Sequence, residues 1–217
     1  MNFKYAVFDM DGTLIDSMDL WDKCERKIIG EYCGINLLQG QNSDFIYKSL
    51  EDMASRASNA TGVKCDLRSI IPAMHKEMDE NYISATIPEK DGAIEFLKYL
   101  KNNGIKIAIA TATPLSSCRP CLERLGFFDL IDIFVCTDDV GKSKRYPDVY
   151  IKAIELLGGT KEETVIFEDA LYCLETLYNH NFRYAVVYDG IRSSVITDTI
   201  KEKSEHFIHS YKELMNI

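Results

Sequence analysis

Apolar positions along this chain follow two different periods, and the change between them divides it. Tyr5-Ala6-Val7-Phe8 is apolar at successive positions, the pattern of a short strand covered on both faces. From Ser17 to about Lys90 the spacing is helical instead. One stripe runs through Met18, Trp21, Cys24 and Ile28, with Ser17 placed to cap it and Gly30 or Gly34 to end it. A second opens at Ser43 or Asp44 and carries Ile46, Leu50 and Met53. A third carries Leu67, Ile70, Ile71, Met74, Met78 and Tyr82, with Pro72 in its first turn or kinking it. No strand-like alternation interrupts this block, which reads as an inserted helical module.

From Asp91 strands and helices alternate. Ile94, Leu97 and Leu100 form a helical stripe stopped by Gly104, and a strand over 105–110 ends at Thr111. Leu115, Cys118, Leu122 and Leu125 predict a helix ending at Gly126, followed by a strand over 131–136. Pro147 opens a helix closed by Gly158 and Gly159; a strand over 164–167 then ends at Glu168 and Asp169. A helix through Leu171, Leu174 and Leu177, a strand over 184–188, a short edge strand at Phe207-Ile208 and a terminal helix from Tyr211 complete the chain. This alternation predicts an α/β fold with a parallel sheet and right-handed crossovers.

Polar groups recur where the strands end. Asp9 and Asp11 follow the first strand, with Gly12 freeing the turn. Thr111 and Thr113 end the second, and Glu168 and Asp169 end the fourth. Lys144 lies on the loop before Pro147. Ligand crevices of open α/β sheets lie beyond the carboxyl ends of the strands. Singly, each group has a plainer reading: an Asx turn at Asp9–Gly12, a helix cap at Thr111, a solvated basic loop around Lys144, an N-terminal acidic pair at Glu168-Asp169. Together they make coherent chemistry. Carboxylates hold a hard cation such as Mg²⁺, a lysine and a hydroxyl hold phosphate oxygens, and one carboxylate attacks phosphorus.

Composition narrows the partners. The chain has 217 residues, of which 46% are hydrophobic and 27% charged, ordinary for a globular protein. Its 25 basic and 34 acidic residues leave a formal net charge of −9, which argues against nucleic acid or an anionic membrane as the main partner. No apolar run approaches membrane-spanning length, and no signal-peptide pattern precedes the first strand. The expectation is a cytoplasmic monomer. The seven cysteines read as reduced, buried thiols. Cys118-Arg-Pro-Cys121 has redox or zinc spacing, but no second Cys or His pair complements it.

The four ordered motifs resemble those of the haloacid dehalogenase superfamily of phosphotransferases. Asp9-Met10-Asp11-Gly12-Thr13 is similar to its first motif and Thr111 to its second. Lys144 with Pro147-Asp148 is similar to the third, and Glu168-Asp169 to the fourth. The similarity is greatest to the β-phosphoglucomutase and phosphoglycolate-phosphatase-like branch. It implies a three-layer Rossmann-like core over residues 1–16 and 89–217, with a helical cap over 17–88; because both crossings into that block are short and near Asp9, it is expected to open and close over Asp9. The implied activity is Mg²⁺-dependent hydrolysis of small phosphorylated metabolites through an aspartyl phosphate, with a sugar-phosphate mutase as the alternative. Asp9 would be the nucleophile and Asp11 the acid and base. Thr111, the Ala112 amide and Lys144 would hold the phosphoryl oxygens. Asp9, the Asp11 carbonyl and Asp169 would bind Mg²⁺, with Glu168 auxiliary.

Departures from the pattern bear on the activity. Trp21 stands where mutase relatives place a histidine, and Pro114 where they place a lysine, which favours hydrolysis. Cys173 and Asn181 replace glycines. A receiver-type signalling domain, which also phosphorylates an aspartate on a parallel sheet, would be shorter, lack the helical insertion and not need Asp11.

Overall fold

The computed structural model describes residues 2–34, 54–55, 58–59 and 61–215, the side chains of residues 191 and 192 excepted. The helical stripe expected from Ser43 or Asp44 lies outside the described residues. The chain divides into two compact units, one of residues 1–16 and 87–217, the other of residues 17–86.

The larger unit is built on a six-stranded, wholly parallel sheet. Its strands are β1 (Tyr5–Phe8), β2 (Lys106–Thr111), β3 (Ile133–Cys136), β4 (Thr164–Glu168), β5 (Arg183–Val187) and β6 (His206–Ile208), in the spatial order β3-β2-β1-β4-β5-β6. β1 is therefore central, with β2 and β4 as its neighbours. In this register Phe8 lies beside Ile109 and Phe167, so the three strands end side by side. This is an α/β Rossmann-like fold, as the alternation predicts.

Both faces of the sheet are covered, which explains the unbroken apolar run of β1. Ala6, Val7 and Phe8 are all fully buried. Because side chains alternate along a strand, Val7 and Ile166 pack into one layer with Val149, Tyr150 and Ile154 of the helix Asp148–Leu157 and Leu174 and Leu177 of the helix Leu171–Asn179. Phe8 and Phe167 belong to the other. Their rings stack at 4.5 Å and meet Phe96 of the helix Ala93–Asn102 and Tyr211 near the chain's last helix. Such aromatic pairs add to the burial of their large apolar areas. Asn181 keeps the glycine-like backbone of the position it fills, with φ 54°, a conformation asparagine tolerates better than most side chains.

The smaller unit contains α1 (Met18–Cys33) and α2 (Leu67–Ser84), which pack through Cys24, Ile28, Ile70, Met74 and Met78 and pair at their rims through Lys27 and Glu77 at 2.7 Å. Ser17 occupies the N-cap position of α1, but its side chain makes no capping bond; its carbonyl accepts from Leu20 and Trp21 instead. Gly34, left-handed at φ 66°, ends α1. Pro72 sits inside α2, past its first turn. The cysteine expectation needs correction here. Cys33 at the end of α1 and Cys65 just before α2 are joined as a disulfide, with Cα atoms 6.0 Å apart. A sequence separation of 32 residues gave no sign that these two helix ends meet. Cys24, Cys118, Cys121, Cys136 and Cys173 are free and buried, as expected. No described helix is long and apolar enough to cross a membrane.

Candidate active site

The loop after β1 folds back on itself within seven residues. Met10 offers its carbonyl to the amides of Thr13, Leu14 and Ile15, while the Gly12 amide returns to the Ile15 carbonyl. Gly12 has φ 81°, a value that any Cβ would make costly. The Asp9 amide extends the ladder to the Phe167 carbonyl at 3.0 Å. The backbone thus holds Asp9 against the end of β4, which ends in Glu168.

Lys144 reaches this point from its loop and is buried, with 3% exposure. Its Nζ donates to Asp9 Oδ1 at 2.5 Å and to Glu168 Oε1 at 2.6 Å. Tyr150 donates its hydroxyl to the same Glu168 oxygen at 2.7 Å. Thr13 donates to Asp169 Oδ1 at 2.8 Å, and Tyr211 braces the Thr13 carbonyl at 3.1 Å. On the other side of β1, Thr111 ends β2 and is buried, Ala112 is exposed, and Thr113 turns back inward. The Thr113 hydroxyl donates to Asp11 Oδ2 at 3.0 Å.

Asp9, Asp11, Thr111, Lys144, Glu168 and Asp169 thus all belong to the carboxyl edge of four adjacent strands, β3-β2-β1-β4, or the loops that follow. Thr13, Thr113 and Tyr150 support them. Thr113 was visible in the sequence only as a second threonine beyond a strand, and Tyr150 only as part of a helical core stripe. Thr13 lay inside the first motif without a role.

Burial and mutual repulsion shift Asp9 and Asp169 upward. Burial raises Asp9 to about 7; the Lys144 charge opposes that shift, and Glu168 and Asp11 add to it. Asp169 is pushed well above the ordinary carboxylate range by burial, then by the charges of Asp9 and Glu168. Burial works against the charge of Lys144, but Asp9 and Glu168 outweigh it and the net shift is upward. An ion pair should lower its acid as well as raise its base. Asp9 rises nonetheless, because burial outweighs the Lys144 charge and the neighbouring Glu168 adds to the rise. Carboxylate oxygens of Asp9, Glu168 and Asp169 all lie within 4.8 Å of one another. An all-oxygen, anionic, buried donor set suits a hard divalent cation such as Mg²⁺.

Cys118 and Cys121 lie one turn apart on the helix Leu115–Leu125, both fully buried. Burial raises Cys121 to about 11 and Cys118 further, the opposite of a redox-active thiol.

Comparison with known proteins identifies the class of protein that carries these groups at the carboxyl edge of its parallel sheet. Residues 3–181 match the family described as haloacid dehalogenase-like hydrolase, and the chain belongs to that family. A phosphorylated carbohydrates phosphatase of Thermotoga maritima is 27% identical over 170 residues, covering 76% of each chain. Pyrophosphatase PpaX of Bacillus mycoides is 26% identical over 214 residues, covering 98% of this chain and 91% of that protein. Among solved structures, a predicted phosphoglycolate phosphatase of Haemophilus somnus 129pt superposes with a TM-score of 0.79 at 15% identity, covering 100% of this chain and 98% of that one. The structural neighbours fall in the β-phosphoglucomutase and phosphoglycolate-phosphatase-like branch that the motifs indicated. The chain is an enzyme, and phosphatase is the activity that several of its relatives carry in their names.

Proposed function

We propose that this enzyme is a Mg²⁺-dependent phosphatase of small phosphorylated metabolites, with Asp9 as nucleophile. The observation that carries the reading is the position of Lys144 Nζ between Asp9 and Glu168, inside a cluster of three buried carboxylates. Asp9 Oδ attacks phosphorus, and the bond from phosphorus to the ester oxygen breaks. The departing oxygen takes its proton from Asp11. Water then attacks the aspartyl phosphate and gives a proton to Asp11; phosphate leaves and Asp9 is restored. Thr111, the Ala112 amide and Lys144 orient the phosphoryl oxygens. Asp9 and Asp169, with the Asp11 carbonyl and Glu168 in support, would hold Mg²⁺, which supplies positive charge to the transferring group when bound.

Selectivity comes from the inserted helical module, which we assign as a cap over residues 17–88. Connectivity supports this: it leaves the chain just after the nucleophile's loop and returns before β2. Hydrolysis ranks ahead of sugar-phosphate mutation because Pro114, at the start of its helix, offers no cation to a second phosphate. The test is phosphate release from a panel of phosphorylated metabolites with Mg²⁺ and with chelator, using Asp9→Asn as control. A folded Asp9→Asn protein that turns over normally would rule the mechanism out.

A further inference from the structure

We propose that Tyr150 is a positioning residue for Lys144, acting through Glu168 to set where the ammonium meets a phosphoryl group. The inference rests on the phosphatase reading and adds a residue to it.

Lys144 lies on the loop between the 3₁₀ turn Thr137–Asp139 and the helix Asp148–Leu157. Its flexible side chain is therefore placed by its bonds rather than by a helix or strand. Tyr150 stands in the first turn of that helix and is fully buried. Its ring belongs to the core layer that contains Ile166 and Leu174, and Lys144 Nζ lies over the ring at 5.5 Å from its centre. Its hydroxyl donates to Glu168 Oε1 at 2.7 Å, the oxygen that also accepts from Lys144 at 2.6 Å. The Cys173 thiol meets the same hydroxyl. Glu168 Oε2 accepts from the Asp169 amide at 3.3 Å. Glu168, with 0% exposure, is thus held at both ends of its carboxylate. Tyr150 meets the ammonium twice, through its ring and through a shared acceptor.

Two donors on one oxygen divide its demand. A buried acceptor short of a donor is costly, and Lys144 Nζ bridges this one to Asp9. With the Tyr150 hydroxyl in place, a neutral group satisfies part of Oε1. The ammonium then stays where it serves Asp9 and the phosphoryl oxygens assigned to it. Without the hydroxyl, Oε1 draws more heavily on the ammonium and pulls it toward β4. Phosphoryl transfer depends on positioning and charge neutralisation, so a displaced ammonium weakens the hold on phosphate.

Tyr150→Phe removes the hydroxyl and keeps the ring in its core layer. The test is calorimetric titration of inorganic phosphate into Mg²⁺-saturated protein, and of Mg²⁺ into phosphate-free protein, for wild type and Tyr150→Phe. Tyr150→Phe is expected to bind phosphate roughly tenfold more weakly, the scale of one hydrogen bond to a charged group, with its Mg²⁺ affinity unchanged. Lost core packing alone would not divide the two ligands in this way. In a Glu168→Ala background Tyr150→Phe adds no further loss of phosphate binding, because the residue acts through Glu168. If Glu168→Ala fails to fold, the comparison of the two ligands in Tyr150→Phe decides alone. Three results overturn the inference while the phosphatase reading stands: unchanged phosphate affinity, a Mg²⁺ affinity that falls by a similar factor, or a loss that adds fully to that of Glu168→Ala. Wild type that releases no phosphate from the metabolite panel and traps no aspartyl phosphate removes that reading and this inference with it.

Discussion

Thr13 and Asp169 stand 156 residues apart in sequence, and the hydroxyl of one donates to Oδ1 of the other at 2.8 Å. The bond ties the loop after β1 to the acidic end of β4. It leaves Asp169 with one oxygen directed by Thr13 and the other available to a cation. Tyr211 in turn holds the Thr13 carbonyl at 3.1 Å, so the aromatic core braces this loop as well as the strand ends.

Thr13→Val should therefore weaken Mg²⁺ binding by about tenfold to a hundredfold, the usual effect of removing a partner that orients a ligand. Calorimetric titration of metal into Thr13→Val and wild type measures it. Unchanged affinity would mean that Asp169 needs no help from Thr13.

Burial places Asp9 at about 7 in the metal-free protein, against an ordinary value of 3.8. Between those values the folded protein holds a proton that the unfolded chain has released. The contribution of Asp9 to stability is thus present at low pH and lost as pH rises toward 7. Asp169 shifts in the same direction. Chelator-treated wild type should lose thermal stability across this window relative to Asp9→Asn, and added Mg²⁺ should recover it above pH 7. Parallel pH profiles for the two proteins would contradict the shift.

Lys144 is the cation that keeps Asp9 and Glu168 apart. Lys144→Met should abolish turnover. It should also cost roughly 3–5 kcal/mol of stability, because a buried pair loses one partner. The loss should be smaller at pH 5, where the stranded carboxylates can take up protons. Urea unfolding at two pH values checks this, and Lys144→Arg should not rescue activity, since a forked guanidinium does not replace a point charge.

Legibility in the sequence followed the physics of each feature. The strands were readable because burial on both faces leaves apolar runs that end sharply, as at Phe8 and Phe167. Some boundaries moved: β3 starts at Ile133, not 131, because a 3₁₀ turn over Phe128–Leu130 takes up the chain before it. Asp9, Thr111, Glu168 and Asp169 were readable as candidates because each sits at or beside a strand end, whereas Lys144 lies on a loop well past β3 and was readable only by its place before Pro147. Their supports were not. Tyr150 packs in a helical core stripe that looks like any other, and only its hydroxyl, aimed at Glu168, separates it from a phenylalanine. The pairing of Thr113 with Asp11 depends on β1 and β2 lying side by side, which no local pattern records.

The cysteines test the structure at the level of single atoms. Cys33 and Cys65 are joined within the helical unit, while Cys24, Cys118, Cys121, Cys136 and Cys173 are free and buried. A thiol reagent that attacks the thiolate should find little to react with in the folded protein, since burial raises Cys24 to about 12 and Cys121 to about 11. Protein purified without reductant and then unfolded should show five reactive thiols, and seven after reduction, the full complement of the sequence. The bridge closes a stretch with a sequence separation of 32, for which chain-entropy arguments give about 3–4 kcal/mol. That stabilisation belongs to α1 and α2, because both cysteines lie in their unit. Reduction should therefore speed hydrogen exchange in those helices and leave β1, β2 and β4 protected. Seven thiols before reduction would mean that the two helix ends are held by packing alone.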